Sequence, residues 1–257
     1  MVHRSAVEHG VLCAVQIPDS PEPVPEEILS TLHASEANHA SGLRGYRQGQ
    51  FVGGRIALRH ALGQLGTRSG SLLSDGRGAP VLPDGMVGSV SHKRDLAIAM
   101  VGPDRGWTLG VDLEDYLPER LRIASHVLRD EEIAAIEHLP DHRRWIALVL
   151  RFSIKESIYK ALDPFVHRYV GFHEACVTPD LEGRAHVALH LANDEGPFEV
   201  EARYHWLWGR IITSVRIRQL TPDPAAHTIR QVPDGDGRDR STVDGRDRES
   251  VDQGTLP

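Results

Sequence analysis

Apolar residues recur along the chain with two different periods, and each period predicts its own elements. Helical spacing of apolar positions predicts a helix from residue 49 to 65 and a longer one from 143 to 162, ended by Pro164. A shorter helix is expected at 26–32, and helical material at 119–137. Short or alternating apolar runs predict strands at 11–17, 87–90, 96–101, 107–113, 186–191, 198–204 and 211–217.

The order of these elements indicates the organisation of the chain. A helix followed by strands occurs twice, which predicts an α+β protein of two similar halves, spanning residues 1–105 and 106–220. Residues 221–257 combine Pro, Gly, Asp and Arg with almost no large apolar side chains. Because such a segment buries too little apolar surface to offset its loss of conformational entropy, we expect a disordered tail.

Composition and charge exclude several classes of protein. The chain has 257 residues, with 29 Lys and Arg against 36 Asp and Glu, so a generally basic nucleic-acid surface is excluded. Two cysteines are too few for a disulfide scaffold. The first ten residues lack the apolar core of a signal peptide, and no stretch approaches the roughly 20 apolar residues of a membrane span. We therefore expect a cytoplasmic protein with no nucleic-acid or membrane partner.

Two acidic residues share one face of the strand predicted at 107–113. Leu109, Val111 and Leu113 point to one side, whereas Asp112 and Glu114 point to the other. Neighbouring carboxylates repel each other unless a cation lies between them, and their oxygens suit Mg²⁺ or Mn²⁺. A solvated strand end gives the same pattern, so this segment alone favours the simpler interpretation.

A third acid interrupts the apolar stripe of the helix at 143–162. At about 100° per residue, Glu156 falls about 40° from Phe152, and Trp145 falls about 20° from it. An unpaired buried carboxylate costs several kcal/mol, so Glu156 is expected to be protonated, ion-paired or bound to a metal. Lys160, one turn further on, is the local candidate for an ion pair. The ion pair and the metal ligand stay open as alternatives.

Two arginines repeat this pattern on the helix at 49–65. Arg55 lies inside the apolar arc, and Arg59 lies one turn beyond it. Two guanidinium groups on adjacent turns fit a phosphate clamp, since each offers a planar fork of donors. Surface arginines whose stems cover apolar area are the commoner explanation of the pattern.

Two polar loops add further candidate residues. Arg77 and Gly78 lie in the Gly-rich and Pro-rich segment 75–80, whose backbone could approach a phosphate closely. Ser91 and His92 follow a strand, where the imidazole could donate to a phosphate or act as a base. The sequence contains no zinc-binding His-Glu-x-x-His, no phosphate loop and no Gly-x-Ser-x-Gly nucleophile motif, so the common hydrolase templates are absent.

Taken in order, these segments resemble the 4′-phosphopantetheinyl transferases of the two-half type, typified by the surfactin-synthetase activator and the enterobactin component D enzymes. The most specific segment, Phe152–Leu162, reads FSIKESIYKAL and is similar to the family signature (Trp/Phe)-Ser-x-Lys-Glu-x-x-x-Lys-Ala. The other matching segments are QFVGGRIALRHAL at Gln50–Leu62, RGAP at Arg77–Pro80, SVSH at Ser89–His92 and GVDLE at Gly110–Glu114.

The resemblance implies a fold, a reaction and partners. It implies two α+β halves related by a pseudo-two-fold axis. The family transfers the 4′-phosphopantetheine arm of coenzyme A to a serine of an apo carrier protein, with Mg²⁺, and releases 3′,5′-ADP. The expected partners are acyl, peptidyl or aryl carriers of fatty-acid, polyketide or nonribosomal peptide synthases, and the expected oligomeric state is a monomer.

The resemblance also implies roles for individual residues. Asp112, Glu114 and Glu156 would hold the metal ion, and Glu156 would also take the proton of the serine, directly or through a water. Lys160 and His92 are the other expected catalytic residues. The residues expected at coenzyme A are Arg55, Arg59, Arg77, Gly78, Ser91, His92, Lys155 and Lys160.

Two other functions fit parts of the pattern. A metal-dependent phosphatase or pyrophosphatase would use the same three acids to activate water, although Ser91, His92 and the arginines would then be surplus. A non-catalytic module that binds coenzyme A or a carrier is the second alternative, and the intact acids argue against it.

Overall fold

The computed structural model describes residues 2–117 and 119–220. This part of the chain forms two antiparallel sheets flanked by helices, so the predicted α+β class is confirmed. The tail predicted at 221–257 lies outside the described residues. Among the helices that the structure describes, each is too short or too polar to traverse a bilayer.

The first sheet is built from the N-terminal part of the chain. Its strands are Val2–Val7 (β1), Gly10–Gln16 (β2), Met86–His92 (β3) and Leu96–Pro103 (β4), in the spatial order β1-β2-β4-β3. Between β2 and β3 run the helices Glu26–Leu29 (α1), Ala34–Gly42 (α2) and Tyr46–Gln64 (α3). Leu58 and Leu62 of α3 pack against Val15 and Ala99 of the sheet, so α3 covers one of its faces.

The second sheet is built from later residues. Its strands are Thr108–Glu114 (β5), Ala175–Pro179 (β6), Arg184–Leu189 (β7), Phe198–Leu207 (β8) and Arg210–Gln219 (β9), in the order β5-β9-β8-β7-β6. The intervening helices are Ala124–Val127 (α4), Asp130–Ile136 (α5) and Asp141–Val166 (α6). Helix α6 packs through Ile154 and Ile158 against Val215 and Ile217 of β9.

The two sheets pack face to face. Leu12 and Ile98 of the first sheet share one buried cluster with Val111 and Ile212 of the second. The layers therefore run α3, first sheet, second sheet, α6. This arrangement places β3, at the edge of the first sheet, beside β5, at the edge of the second, and Ser91 of β3 donates a hydrogen bond to Asp112 of β5.

Three elements were not predicted from the apolar pattern, and several helix ends differ from the prediction, most clearly the end of α6. Strands β1 and β6 are edge strands, which carry a weak apolar alternation. Helix α2 reads ASEANHASG and is stabilised by a capping interaction between His33 and Glu36 rather than by an apolar stripe. Helix α6 passes through Pro164 to Val166, because a proline in the last turn removes only one helical hydrogen bond.

Candidate active site

The predicted acidic residues Asp112 and Glu114 lie on the face of β5 that meets helix α6. A Cβ atom added at Gly110 would lie 1.9 Å from the carbonyl oxygen of Ser157 on α6. Only glycine therefore allows the helix to approach the strand this closely. The close approach brings side chains of α6 to Asp112, whose Oδ2 accepts a hydrogen bond from Ser153 Oγ at 2.9 Å.

Asp112 is buried and has three hydrogen-bonded partners, one on β3 and two on α6. Its Oδ1 accepts from Ser91 Oγ at 2.9 Å and from Lys160 Nζ at 2.9 Å, and its Oδ2 accepts from Ser153. The lysine also donates to the carbonyl oxygen of Val111 at 2.8 Å. Asp112 is thus held in place by both sheets and by α6.

The other two acids feel the charge of Asp112. Burial and the neighbouring Asp112 raise the pKa of Glu114 to about 7, although its carboxylate lies 2.6 Å from Lys93 Nζ. Burial and Asp112 likewise raise the pKa of Glu156 on α6. The structure therefore brings Glu114 and Glu156 within electrostatic range of Asp112, in surroundings that disfavour the negative charges of the two glutamates.

The fit of these acids to a metal ion follows from their chemistry rather than from their present spacing. Across residues 2–117 and 119–220, no three His, Cys, Asp or Glu side chains are close enough together to hold a metal ion as they stand. Lys160 and Lys93 instead pair with Asp112 and Glu114. Asp112 and the two glutamates whose pKa values it raises nevertheless form a donor set that suits a hard divalent cation.

A cavity of about 430 Å³ lies next to this acidic cluster. The loop 75–80 and strand β3 form one wall, and the start of β5 and the C-terminal part of α6 form the other. Among the predicted site residues, Arg77, Gly78 and Lys160 line it. Lys160 therefore contacts both the cavity and the acidic cluster, and it joins the two into one site.

Ser91 and His92 lie at the acidic end of this site. Ser91 is buried and hydrogen-bonded to Asp112, and His92 is the last residue of strand β3. Desolvation lowers the pKa of His92, and the positive charge of Lys160 acts in the same direction. The imidazole is therefore neutral at pH 7, so one ring nitrogen can accept a proton.

Glu156 also borders a second, smaller cavity. This space of about 140 Å³ is lined by Glu156, Tyr159 and Phe172, among others. Tyr159 borders the larger cavity as well.

The structure does not bring Arg55 and Arg59 to the cavity as the predicted phosphate clamp. Arg55 is buried, donates from Nη2 to Ser74 Oγ at 2.6 Å, and stacks over Phe51 with its guanidinium carbon 4.3 Å from the ring centre. Burial lowers its pKa to about 10. Arg59 forms two hydrogen bonds of 2.6 and 2.8 Å to the fully buried Glu36. The Arg59 guanidinium is thus paired inside the N-terminal part of the fold, and Nε of Arg55 is buried without a hydrogen-bond partner among the described residues.

Lys155 is also directed away from the larger cavity. Its Nζ lies 2.5 Å from Glu132 and 2.8 Å from the carbonyl oxygen of Val127, and its side chain is 1% exposed. Glu132 in turn accepts hydrogen bonds from the backbone N–H groups of Arg129 and Val177. Lys155 therefore fastens α4, α5 and β6 to α6.

Four residues of the site have weak or no sequence signals. Lys93 follows the SVSH segment directly, and Ser153 lies one turn before Glu156, so their positions beside known motifs could have suggested them. Tyr159 lies within the FSIKESIYKAL segment but reads as a core aromatic. Asp163 has one signal, because an acid in the last turn of a helix opposes the helix dipole.

Family models match both parts of the chain. Residues 36–102 match the model of the 4′-phosphopantetheinyl transferase N-terminal domain. Residues 108–214 match the model of the 4′-phosphopantetheinyl transferase superfamily. The chain belongs to this superfamily. The residues that line the cavity and the three acids all lie within the segments that match these two family models.

Individual relatives support the same assignment. The chain is 35% identical over 172 residues to the 4′-phosphopantetheinyl transferase Svp of Streptomyces mobaraensis, which covers 61% of this chain and 65% of Svp. It is 35% identical over 149 residues to enterobactin synthase component D of Salmonella typhi, covering 56% of this chain and 59% of that protein. The matched part thus spans less than two thirds of each relative.

A solved structure is also similar. The holo-[acyl-carrier-protein] synthase of Thermotoga maritima matches with 18% sequence identity and a TM-score of 0.38, over 48% of this chain and 73% of that chain.

Proposed function

We propose that this protein transfers the 4′-phosphopantetheine arm of coenzyme A to a serine of an apo carrier protein. The serine oxygen forms a bond to the phosphorus that carries the pantetheine arm. The bond from that phosphorus to the bridging oxygen of the diphosphate breaks, and 3′,5′-ADP leaves with the electron pair. The serine proton passes to a base on the enzyme.

The observation that carries this proposal is the position of Lys160. Its side chain lines the 430 Å³ cavity, and its ammonium group donates to Asp112 of the acidic cluster. A long ligand with a diphosphate would therefore meet a cation in its cavity, and that cation is paired with one of the three acids. Phosphoryl transfer depends on charge neutralisation and alignment, which such a site supplies.

We infer that Asp112, Glu114 and Glu156 hold Mg²⁺, with Mn²⁺ as the other hard cation that their oxygens accept. The raised pKa values of Glu114 and Glu156 support this inference, because a nearby cation would stabilise both carboxylates. The ion, when bound, would neutralise developing charge on the diphosphate.

Glu156 is the proposed base. Its raised pKa makes it a better proton acceptor than an exposed glutamate, and its position beside a cavity leaves room for an incoming hydroxyl group or an intervening water. Lys160 and His92, together with Ser91, would hold the diphosphate oxygens by hydrogen bonds. Neutral His92 can donate only one ring N–H, so it orients an oxygen rather than neutralising its charge.

Arg77 and Gly78 are the proposed contacts at the other end of the coenzyme. Arg77 carries the positive charge of the loop wall, and Gly78 adopts a φ of +92°, a conformation that favours glycine and exposes the backbone of the loop. In this proposal the cavity lies between the halves 1–105 and 106–220. Arg55, Arg59 and Lys155 support the walls from inside the protein.

The decisive experiment is intact-mass analysis of carrier proteins. The protein is incubated with coenzyme A, Mg²⁺ and a panel of apo acyl, peptidyl and aryl carriers, and parallel samples contain a chelator. The proposal predicts a gain of one phosphopantetheine arm on at least one carrier, and no gain in the chelated samples.

Two other results would contradict the proposal in different ways. Hydrolysis of coenzyme A with every carrier unmodified would indicate a metal-dependent phosphatase or pyrophosphatase. Binding of coenzyme A or a carrier with neither product would indicate a non-catalytic binding module.

A further inference from the structure

One ion pair crosses the large cavity. The Arg77 guanidinium on the loop wall donates from Nε to both carboxylate oxygens of Asp163 on α6, at 2.8 and 2.9 Å, and from Nη2 to Oδ1 at 2.5 Å. Both residues line the cavity. The Asp163 side chain is 14% exposed and that of Arg77 is 37% exposed, so the acid is the more enclosed partner.

The loop holds the backbone of Arg77 as well as its side chain. The Oδ1 atom of Asp75 accepts hydrogen bonds from the backbone N–H of Arg77 at 2.8 Å and of Ala79 at 3.0 Å. Ser74 and Pro80 form a β-bridge at the base of the loop. The position of the arginine is therefore fixed at the backbone, and Asp163 fixes the plane of its guanidinium group.

This pairing leaves one edge of the guanidinium group unused. Asp163 accepts from Nε and Nη2, and none of the residues that the structure describes accepts a hydrogen bond from Nη1. A planar guanidinium group held on one side by a carboxylate presents its remaining N–H groups in a fixed direction. Those groups are available to an anionic ligand in the cavity.

Helix stability does not explain an acid at position 163. Asp163 lies in the last turn of α6, where the helix dipole is negative and a carboxylate is unfavourable. The exposed acid at the other end of the same helix, Asp141, lies in the first turn, where a negative charge is favourable, and it pairs with Arg144. The placement of Asp163 thus favours a role toward the cavity.

We propose that Asp163 is a positioning residue that orients the Arg77 guanidinium to bind a phosphate group of coenzyme A. This inference rests on the proposed function, since it takes coenzyme A as the ligand of the cavity. Coenzyme A carries phosphate at the 3′ position and in the diphosphate, and either group has the chemistry that Arg77 recognises.

The test compares coenzyme A binding and turnover in Asp163→Asn and Asp163→Glu with wild type. Loss of one charge-assisted hydrogen bond changes affinity by about tenfold. We therefore expect Asp163→Asn to raise the KM and the calorimetric Kd for coenzyme A about tenfold, with kcat unchanged, and Asp163→Glu to restore most of the affinity. In an Arg77→Lys background, Asp163→Asn should have no further effect.

Matched controls separate positioning from a general structural effect. Asp141→Asn removes an ion-paired acid from the same helix and should leave both KM and Kd unchanged. A second titration with 3′-dephospho-coenzyme A assigns the phosphate. The effect of Asp163→Asn disappears with that ligand if Arg77 binds the 3′-phosphate, and persists if Arg77 binds the diphosphate.

Two results would overturn the inference. An unchanged Kd in Asp163→Asn would show that the arginine needs no orientation. A lower Kd would show that Asp163 competes with the phosphate for Arg77. Because calorimetry measures binding without turnover, these results are distinct from failure of the transferase proposal, which would appear as unmodified carriers with the wild-type protein.

Discussion

Lys155 and Lys160 lie on the same helix, little more than one turn apart, and have opposite surroundings. The Lys155 ammonium group is buried against Glu132, and that glutamate also accepts two hydrogen bonds from backbone N–H groups. Lys160 is 26% exposed, lines the cavity and pairs with an aspartate that two further acids surround. The first charge is balanced inside the protein, whereas the second belongs to a cluster with excess negative charge.

The two arginines of the N-terminal part show the same contrast. Arg59 pairs with fully buried Glu36 and is not among the residues that line the cavity. Arg77 pairs with Asp163 at the cavity and keeps a free edge. We infer that a motif cation is an internal anchor where buried partners balance its charge, and that it can bind a ligand where donors remain at a cavity.

The largest effect is expected for Glu156→Gln. This variant keeps the size of the side chain but removes the proposed base and one metal ligand, so transfer should fall by about a thousandfold. The melting temperature should stay equal or rise, because Glu156 no longer repels Asp112. Intact-mass kinetics and thermal unfolding measure both effects. Glu27→Gln, an exposed glutamate on α1, is the matched control, and near-normal transfer by Glu156→Gln would refute the assignment.

The next effect concerns stability at the internal anchor. Lys155→Met leaves Glu132 as an uncompensated buried acid, so the free energy of unfolding should fall by about 3–5 kcal/mol. The double variant with Glu132→Gln should recover part of this loss, and its folded fraction should retain transfer. Denaturant titration and mass kinetics check these outcomes. A folded double variant without transfer would place Lys155 in the chemistry.

His9 is a buried histidine outside the site, and its lowered pKa should affect the stability of the fold rather than the transfer reaction. His9, between β1 and β2, is buried, and its Nδ1 lies 2.9 Å from Ser214 Oγ of β9. Burial lowers its pKa from 6.5 to about 4. Among the charged neighbours, two arginines lower the pKa and two glutamates raise it, namely Arg216, Arg203, Glu201 and Glu8.

The sign of the resulting pH dependence follows from the lowered pKa. Between pH 6.5 and 4 the unfolded chain binds a proton at His9 that the native protein does not bind. The contribution of neutral His9 to the free energy of unfolding is complete above pH 6.5, and it falls by about 3 kcal/mol as the pH drops to 4. Denaturant titrations of wild type and His9→Gln check this, since the variant should lack this part of the slope. Equal slopes would show that His9 is protonated in the native state.

The smallest effect is expected at Arg59. Arg59→Lys keeps the charge but loses the double hydrogen bond to Glu36, so unfolding should become easier by about 1–2 kcal/mol. The KM for coenzyme A should not change, because the guanidinium group does not line the cavity. Denaturant titration and carrier kinetics measure the two quantities. A raised KM with unchanged stability would restore Arg59 to the predicted phosphate clamp.

Local periodicity indicates where the acids lie but not how the cations are paired, for a physical reason. Asp112 and Glu114 share a strand face by alternation, and Glu156 lies within an apolar helix stripe, so local periodicity indicates all three. Whether a cation in such a stripe is balanced depends on an acid far along the chain. Arg59 pairs with Glu36 and Lys155 with Glu132, and no local spacing records either partner.

The fold was predicted to a similar extent. Apolar periodicity predicted α3, α6 and most strands, because each has one strongly buried face. It missed α2, whose stability depends on a cap and on buried Glu36, and edge strands such as β6. The ion pair between Arg77 and Asp163 joins residues that are remote in sequence, so only the packed structure reveals it.

The most direct test of the acidic cluster is calorimetric titration of coenzyme A in the presence and absence of Mg²⁺. If Asp112, Glu114 and Glu156 jointly hold a cation against the diphosphate, Mg²⁺ should tighten binding to the wild-type protein. The same addition should have little effect on Asp112→Asn. Equal affinity of the wild-type protein with and without Mg²⁺ would contradict the account.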